Sequence, residues 1–267
     1  MYRRRSGYSD GSGIGPLIDL SERRVLITGS SRGIGAAAAR MFAEVGATVL
    51  VHYRERNQGA SRVLGGLREI SDRPHFSWGA DLSDPAAVEG LFGEVLSRWG
   101  GLDCLVNNAG IWVHNPLSDL NRVLLEETWR INELAPFLCA SQALPLLRGS
   151  TDGTIINVSS TAGQRGEAYF SPYAASKGAM IATTKSWSSE LAPEVRVNSV
   201  APGWVDTEMC SVPFTGEGRR EIESSIPLGR VASVEDIAGP IVFLASPLAR
   251  HITGEVLNVN GGSVLAG

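Results

Sequence analysis

Residues 24–46, RVLITGSSRGIGAAAARMFAEVG, constrain the fold of this chain more than any other stretch. RVLIT is a short apolar run that suits a strand buried on both faces of a parallel sheet. TGSSRGIG, from Thr28 to Gly35, follows with no spacer, and an alanine-rich run then reads as a helix ending at Gly46. Strand, glycine-rich turn and helix in that order bring a backbone close to a pyrophosphate, which the free N–H groups at the helix's positive end can hold. Gly29, Ser31, Arg32, Gly33, Ile34 and Gly35 are therefore expected to cradle a dinucleotide. A second glycine cluster, Gly11 to Gly15, is a control: no strand precedes it and Pro16 follows, so it reads as linker. It belongs to a Gly/Ser-containing flexible tail over residues 1–19.

The next strand, ATVLVHYR, bears on which dinucleotide is bound. Enzymes that take NAD place an acid near the end of this strand, against the ribose 2′-hydroxyl. Tyr53 stands there instead, with Arg54 after it and Arg32 inside the glycine loop. Two guanidinium groups with no acid between them suit a 2′-phosphate, so NADP is expected over NAD. Glu55 is the counterweight, because a one-residue slip in register would restore an acid.

Residues 57–71 are expected to be helical, and HFSWGAD reads as a third strand. Asp81 and Leu82 close it where an adenine edge can rest, although Asp81 can equally serve as a second helix-cap group. Ser83 or Asp84 caps the following helix, PAAVEGLFGEVLSRWG. LDCLVNNAG gives a fourth strand ending in Asn108, Ala109 and Gly110, the small and amide residues a close-lying cofactor needs. Strand and helix go on alternating with no shift in composition. Residues 20–267 therefore read as one doubly wound α/β domain, a Rossmann-type parallel sheet with helices on both faces.

Composition removes other classes. A net charge of −4 gives no electrostatic reason to bind nucleic acid, and no apolar run approaches the roughly 20 residues that span a bilayer. The three cysteines form no C-x-x-C and the four histidines no H-x-x-x-H, so no metal site is expected. The reducing cytoplasm is the default compartment.

The chemistry is expected between Asn157 and Lys177, NVSSTAGQRGEAYFSPYAASK. Tyr173 and Lys177 stand four apart and share one face of a helix. A phenol has a pKa of about 10, and a cationic neighbour pulls it toward neutrality. Ser160 ends the strand-like run IINVSS, so its hydroxyl can point into the crevice where such sheets bind ligands. The set reads as a proton-transfer site for a carbonyl or alcohol. Upstream, Pro136 sits in the helical run EETWRINELAPFLCASQALPLL, and its missing N–H frees the carbonyl of Asn132. That site is either a simple kink or a water-binding point that feeds protons to Lys177. The sixth strand, VRVNSVAPG, turns at Pro202 and Gly203 toward Val205 and Thr207, and residues from about 205 to 231 form an irregular, lid-like excursion.

TGSSRGIG, NNAG, the Ser160/Tyr173/Lys177 set with Asn132, and RVNSVAPGWVDT follow one another in the order and spacing of the short-chain dehydrogenase/reductase family. The chain resembles that family's compact single-domain branch over residues 20–264. The resemblance implies about seven parallel strands and, commonly, a homotetramer packed through the long helices. It makes Tyr173 the general acid/base and Ser160 the holder of the substrate oxygen. Lys177 would grip the nicotinamide ribose and lower the tyrosine pKa, and Asn132 would hold the relay water through its main-chain carbonyl. The implied activity is NADP-dependent hydride transfer between nicotinamide and a small ketone or secondary alcohol, with 3-oxoacyl-thioester reductases as the nearest look. The alternatives are a sugar or polyol dehydrogenase of the same family and a redox-inert NADP-binding regulatory protein. An acyl carrier protein as partner is not supported, because Thr151 and Pro193-Glu194 replace most of the basic surface near Arg148. Trp112, His114, Gln164, Phe170, Trp204 and Phe214 flank the expected pocket, either shaping it or simply packing.

Overall fold

A computed structural model describes residues 17–265 except 212, 214 and 216. Of the expected tail over residues 1–19, residues 1–16 lie outside the described residues, as does the pocket position Phe214. In chain order the elements are β1 (Arg24–Ile27), α1 (Gly33–Glu44), β2 (Thr48–Tyr53), α2 (Asn57–Ile70), β3 (Phe76–Gly79), α3 (Pro85–Trp99) and β4 (Cys104–Asn107). There follow α4 (Arg122–Trp129), α5 (Ala135–Arg148), β5 (Gly153–Val158), α6 (Thr161–Arg165) and α7 (Ser171–Leu191). The order closes with β6 (Val195–Pro202), α8 (Gly218–Ser225), α9 (Val234–Ala245) and β7 (Val256–Val259).

The strands form one seven-stranded sheet in the order β3-β2-β1-β4-β5-β6-β7, and every pairing is parallel. Alternate residues of β1 face opposite ways, as strand geometry requires. Val25 and Ile27 join Phe42 of α1 and Ile237 and Ile241 of α9 in one core. Leu26 joins Leu91 and Val95 of α3, Cys139 of α5 and Trp187 of α7 in the other. Helices thus cover both faces, which is the doubly wound arrangement the alternation predicts.

The chain order reverses between β1 and β4, and such a switch opens a crevice at the strands' carboxyl ends. The register keeps that edge level: Ile27 pairs with Val106, and Asn107 with Asn157. Asp84, not Ser83, caps α3, its side chain accepting from Ala86 N–H at 3.0 Å. The Pro136 distortion takes the form of a π turn at Arg130–Leu134, in which Ala135 N–H reaches back to the Arg130 carbonyl. Among its described residues the 205–231 excursion contains α8, and at its start Val205 bridges to Ala232. Among the described residues no helix is long and apolar enough to cross a membrane.

Candidate active site

The crevice has a volume of ≈ 340 Å³, and its wall gathers residues from the ends of β1, β2, β4, β5 and β6. Of the site residues expected from sequence, only Gly35 and Asn132 stay off that wall. Both lie just behind it. A Cβ on Gly35 would come within 2.6 Å of Asn108 Nδ2 and 2.8 Å of the Gly29 carbonyl, so this helix turn tolerates no side chain. The N-terminus of α1 carries no side-chain cap and no acid in its first turn. Its N–H groups are left for an anion, and the loop fits a dinucleotide pyrophosphate.

Two groups hold this cradle, His52, which sequence reasoning missed, and Asn108, which it named. His52 is buried on β2; its Nδ1 accepts from Gly29 N–H at 2.9 Å, and its Nε2 lies 3.0 Å from the Ala80 carbonyl. An Nδ1 acceptor forces Nε2 to carry the proton, so the ring is neutral and ties the glycine loop to the end of β3. Burial pushes its pKa down to about 4, against the Ala80 hydrogen bond and the Asp81 charge. Asn108 supplies the other tie, with its Nδ2 donating to Thr28 O at 2.8 Å.

Tyr53 is the last residue of β2, as the sequence register had it, and Arg54 pairs with Glu55 at 3.3 Å. Arg32 and Arg56 both donate to Glu208 Oε2, at 2.7 and 2.9 Å. Glu208 and Arg56 were not foreseen at the mouth. Asp81 lines the crevice and also accepts from Ser83 N–H at 2.9 Å. Pro202, Gly203, Val205 and Thr207 complete the far wall, with Thr207 facing the glycine turn.

Deeper in, Ser160 follows β5 as the N-cap of α6, and its Oγ accepts from Ala162 N–H at 3.1 Å. That bond leaves the hydroxyl proton to be donated, and it reaches the Tyr173 phenol. Tyr173 and Lys177 stand one turn apart on α7. The α6 and α7 helices touch at Gly163, where an added Cβ would meet Lys177 C at 2.4 Å. Only glycine permits that approach, and the approach brings Ser160 to the tyrosine. Lys177 is buried and donates to the Val158 carbonyl at 2.8 Å.

The electrostatics correct one expectation. Tyr173 is pushed up to about 12, chiefly by burial; the Ser160 hydrogen bond pulls down, and the Glu167 and Cys210 charges push up. Lys177 does not lower it here, since its Nζ lies 6.0 Å from the ring centroid and is itself turned to Val158. Burial also pushes Lys177 down to about 8, opposed by the Glu133 charge. Asn132 has a further role, through its side chain, that sequence reasoning did not supply. Its side chain is committed: Oδ1 accepts from Ile111 N–H at 2.8 Å, and Nδ2 donates to Ile111 O at 2.9 Å and Ser176 Oγ at 3.1 Å. It pins the chain just past Gly110 to α7.

The family model described as enoyl-(acyl carrier protein) reductase, a short-chain dehydrogenase/reductase model, matches residues 29–263. The chain belongs to the short-chain dehydrogenase/reductase family. It is 36% identical over 241 residues to a 3-oxoacyl-[acyl-carrier-protein] reductase of Staphylococcus aureus, covering 90% of this chain and 97% of that one. It is 34% identical over 256 residues to a sorbitol dehydrogenase of Cereibacter sphaeroides, covering 91% and 98%. A Brucella melitensis structure described as a short-chain glucose/ribitol dehydrogenase superposes with a TM-score of 0.87 at 33% identity, covering 93% and 99%. As a member of this family the chain is an oxidoreductase of CH–OH and C=O groups.

Among the flanking positions, Trp112, His114, Phe170 and Trp204 do assemble into one ring cluster. Gln164 does not join them; it is exposed and donates to Asn258 Oδ1 at 2.7 Å.

Proposed function

We propose that this family member is an NADP-dependent reductase/dehydrogenase of small ketones and secondary alcohols. The observation that carries the reading is the convergence of Ser160, Tyr173 and Lys177 on one crevice wall with the uncapped glycine turn. When bound there, the nicotinamide cofactor supplies or takes the hydride. In the reduction direction Tyr173 gives its proton to the carbonyl oxygen, and Ser160 donates a hydrogen bond to the same oxygen as charge develops on it. Lys177 spends one N–H on Val158 and keeps two for the ribose hydroxyls. The Asn132 carbonyl, which Pro136 cannot bond, holds a water that returns a proton toward Lys177 and Tyr173. Arg32, Arg54 and Arg56 supply the positive charge for a 2′-phosphate. The stripe of exposed Trp129, Leu134 and Phe137 along the α4–α5 run supports assembly through the long helices. A soluble cytoplasmic homotetramer is the form we infer.

Carrier-linked 3-oxoacyl substrates draw support from the Staphylococcus relative. The surface argues against them, because Arg148 is already paired with Glu194 at 2.8 Å. Small free ketones are the better fit. The test is loss of nicotinamide absorbance when purified protein meets NADPH and a panel of small ketones. Steady consumption with NADPH, and much less with NADH, is expected. No consumption with either nucleotide would leave the redox-inert, cofactor-binding alternative.

A further inference from the structure

Near Tyr173, beside the crevice, lies a group of residues that none of these roles uses. Trp112, just past the end of β4, lies flat on Phe170, with ring centroids 4.2 Å apart and planes 6° from parallel. Trp204, next to Gly203, meets Trp112 edge-on at 6.1 Å. Beside these rings, in the loop from α6 to α7, sits Glu167. Its Oε2 accepts from Trp112 Nε1–H at 3.1 Å, while Oε1 has no hydrogen-bond partner among the described residues. No cationic side chain forms an ion pair with it among those residues, although the Arg165 charge acts on it from a distance. The Glu167 charge in turn reaches the Tyr173 phenol. The carboxylate therefore lies within electrostatic reach of the phenol that meets the substrate oxygen.

A half-buried carboxylate with one oxygen pinned and the other open can accept from a further donor. Packing against aromatic faces suits a compact carbon chain. We propose that Glu167 is a specificity-determining residue that accepts hydrogen bonds from hydroxyl groups of a small, uncharged, polyhydroxylated substrate, whose carbon chain packs on the Trp112–Phe170–Trp204 rings. Neutral hydroxyls fit better than an ammonium, because the half-buried site makes a second charge costly to desolvate. Anionic chains are repelled by the same group. The inference rests on the oxidoreductase reading above and adds the substrate class to it.

The test uses the full chain with NADPH and three ketones of equal carbon number: erythrulose, butanone and aminobutanone. For the wild type, kcat/KM with erythrulose should exceed that with butanone by at least about tenfold, the effect of one charge-assisted hydrogen bond. Glu167→Gln, Glu167→Ala and Trp112→Phe should each shrink that ratio, through KM more than kcat. The Trp112→Phe variant, which keeps the carboxylate but loses its anchor, should shrink it least. A ratio unmoved in both Glu167 variants, or a wild type that prefers butanone or aminobutanone, overturns the proposal. Butanone turnover without any hydroxyl preference refutes only the substrate class. Silence with all three ketones and both nucleotides refutes the oxidoreductase reading itself.

Discussion

At the amino ends of β1, β4, β5 and β6 the carboxylates are held by arginines, although Arg196 Nη2 is buried there without a partner. Asp103 takes the Arg24 Nε–H at 2.7 Å and the Ser150 hydroxyl at 2.6 Å. Asp152 takes Arg23 at 2.6 Å and Arg196 at 3.0 Å. At the carboxyl ends of the same strands the pattern inverts. Lys177 is buried with a single backbone partner, Glu167 has an open oxygen, and Glu133 Oε2 is buried with none. The sheet thus has one edge where carboxylates and guanidinium groups pair with one another and another where polar groups are held in readiness. A paired, buried charge stabilises its surroundings mainly by not being broken. A buried group with capacity to spare weakens the fold and is open to a ligand.

The comparison can be broken most forcefully at Tyr173. Tyr173→Phe removes the transferable proton, so turnover should fall roughly 10²–10⁴-fold, while NADPH affinity by fluorescence titration and the urea midpoint should hardly move. The opposite edge should show the converse. Asp103→Asn leaves Arg24 without its carboxylate in a nearly closed site and should cost about 3 kcal/mol of unfolding free energy, with turnover per folded molecule unchanged. If both substitutions hit activity and stability alike, the division between the edges is wrong.

His52 sharpens the contrast through pH. Its folded pKa of about 4 lies below the unfolded value of about 6.5. Between those values the unfolded chain binds more protons, so stability falls as pH drops from about 6.5 to about 4 and is fully retained above that window. The shift corresponds to roughly 3 kcal/mol, and burial of His75 adds in the same direction. Denaturant unfolding at several pH values should show this slope, and His52→Asn should flatten it.

At the exposed mouth the effects are smaller. Replacing Arg32 and Arg54 by alanine should reduce the NADPH-over-NADH preference by tens-fold, from two charge-assisted contacts of roughly 1.5–3 kcal/mol each made imperfect by exposure. NADH use should change little, since NADH has no phosphate to lose. Glu208→Gln should tighten NADPH a fewfold, because the 2′-phosphate no longer competes with a carboxylate for Arg32 and Arg56. The competing pairs are exposed and worth only about 0–1 kcal/mol.

How much of this was legible in the sequence follows from the range of each interaction. The strands, α1 with its turn and the Tyr173–Lys177 spacing are local patterns, and they appear where the periodicity placed them. The Arg32–Glu208–Arg56 cluster is not local, since 176 and 152 residues separate its partners. The same holds for the Asn132 side chain, 21 residues from Ile111. The α8 helix, GRREIESS, has no buried residue and hence no apolar stripe to announce it. The Tyr173 pKa went wrong for a different reason. Spacing reveals that a cation is near in sequence, but the direction of the shift depends on burial and on which way the Nζ turns.

The most direct test of the contrast is the stability of Lys177→Met. Burial holds the Lys177 pKa at about 8 against an ordinary 10.5. The folded state therefore carries a penalty for its charge at neutral pH, and that penalty is relieved only as pH rises from about 8 to 10.5. Methionine keeps the length and apolar stem while removing the charge, at the expense of one bond to Val158. At pH 7 the variant should be inactive yet more stable than the wild type by about 1–2 kcal/mol, the charge penalty less one hydrogen bond. A variant destabilised by more than about 1 kcal/mol would contradict the account, because Lys177 would then belong with Asp103 and Asp152 as a group that holds the fold together.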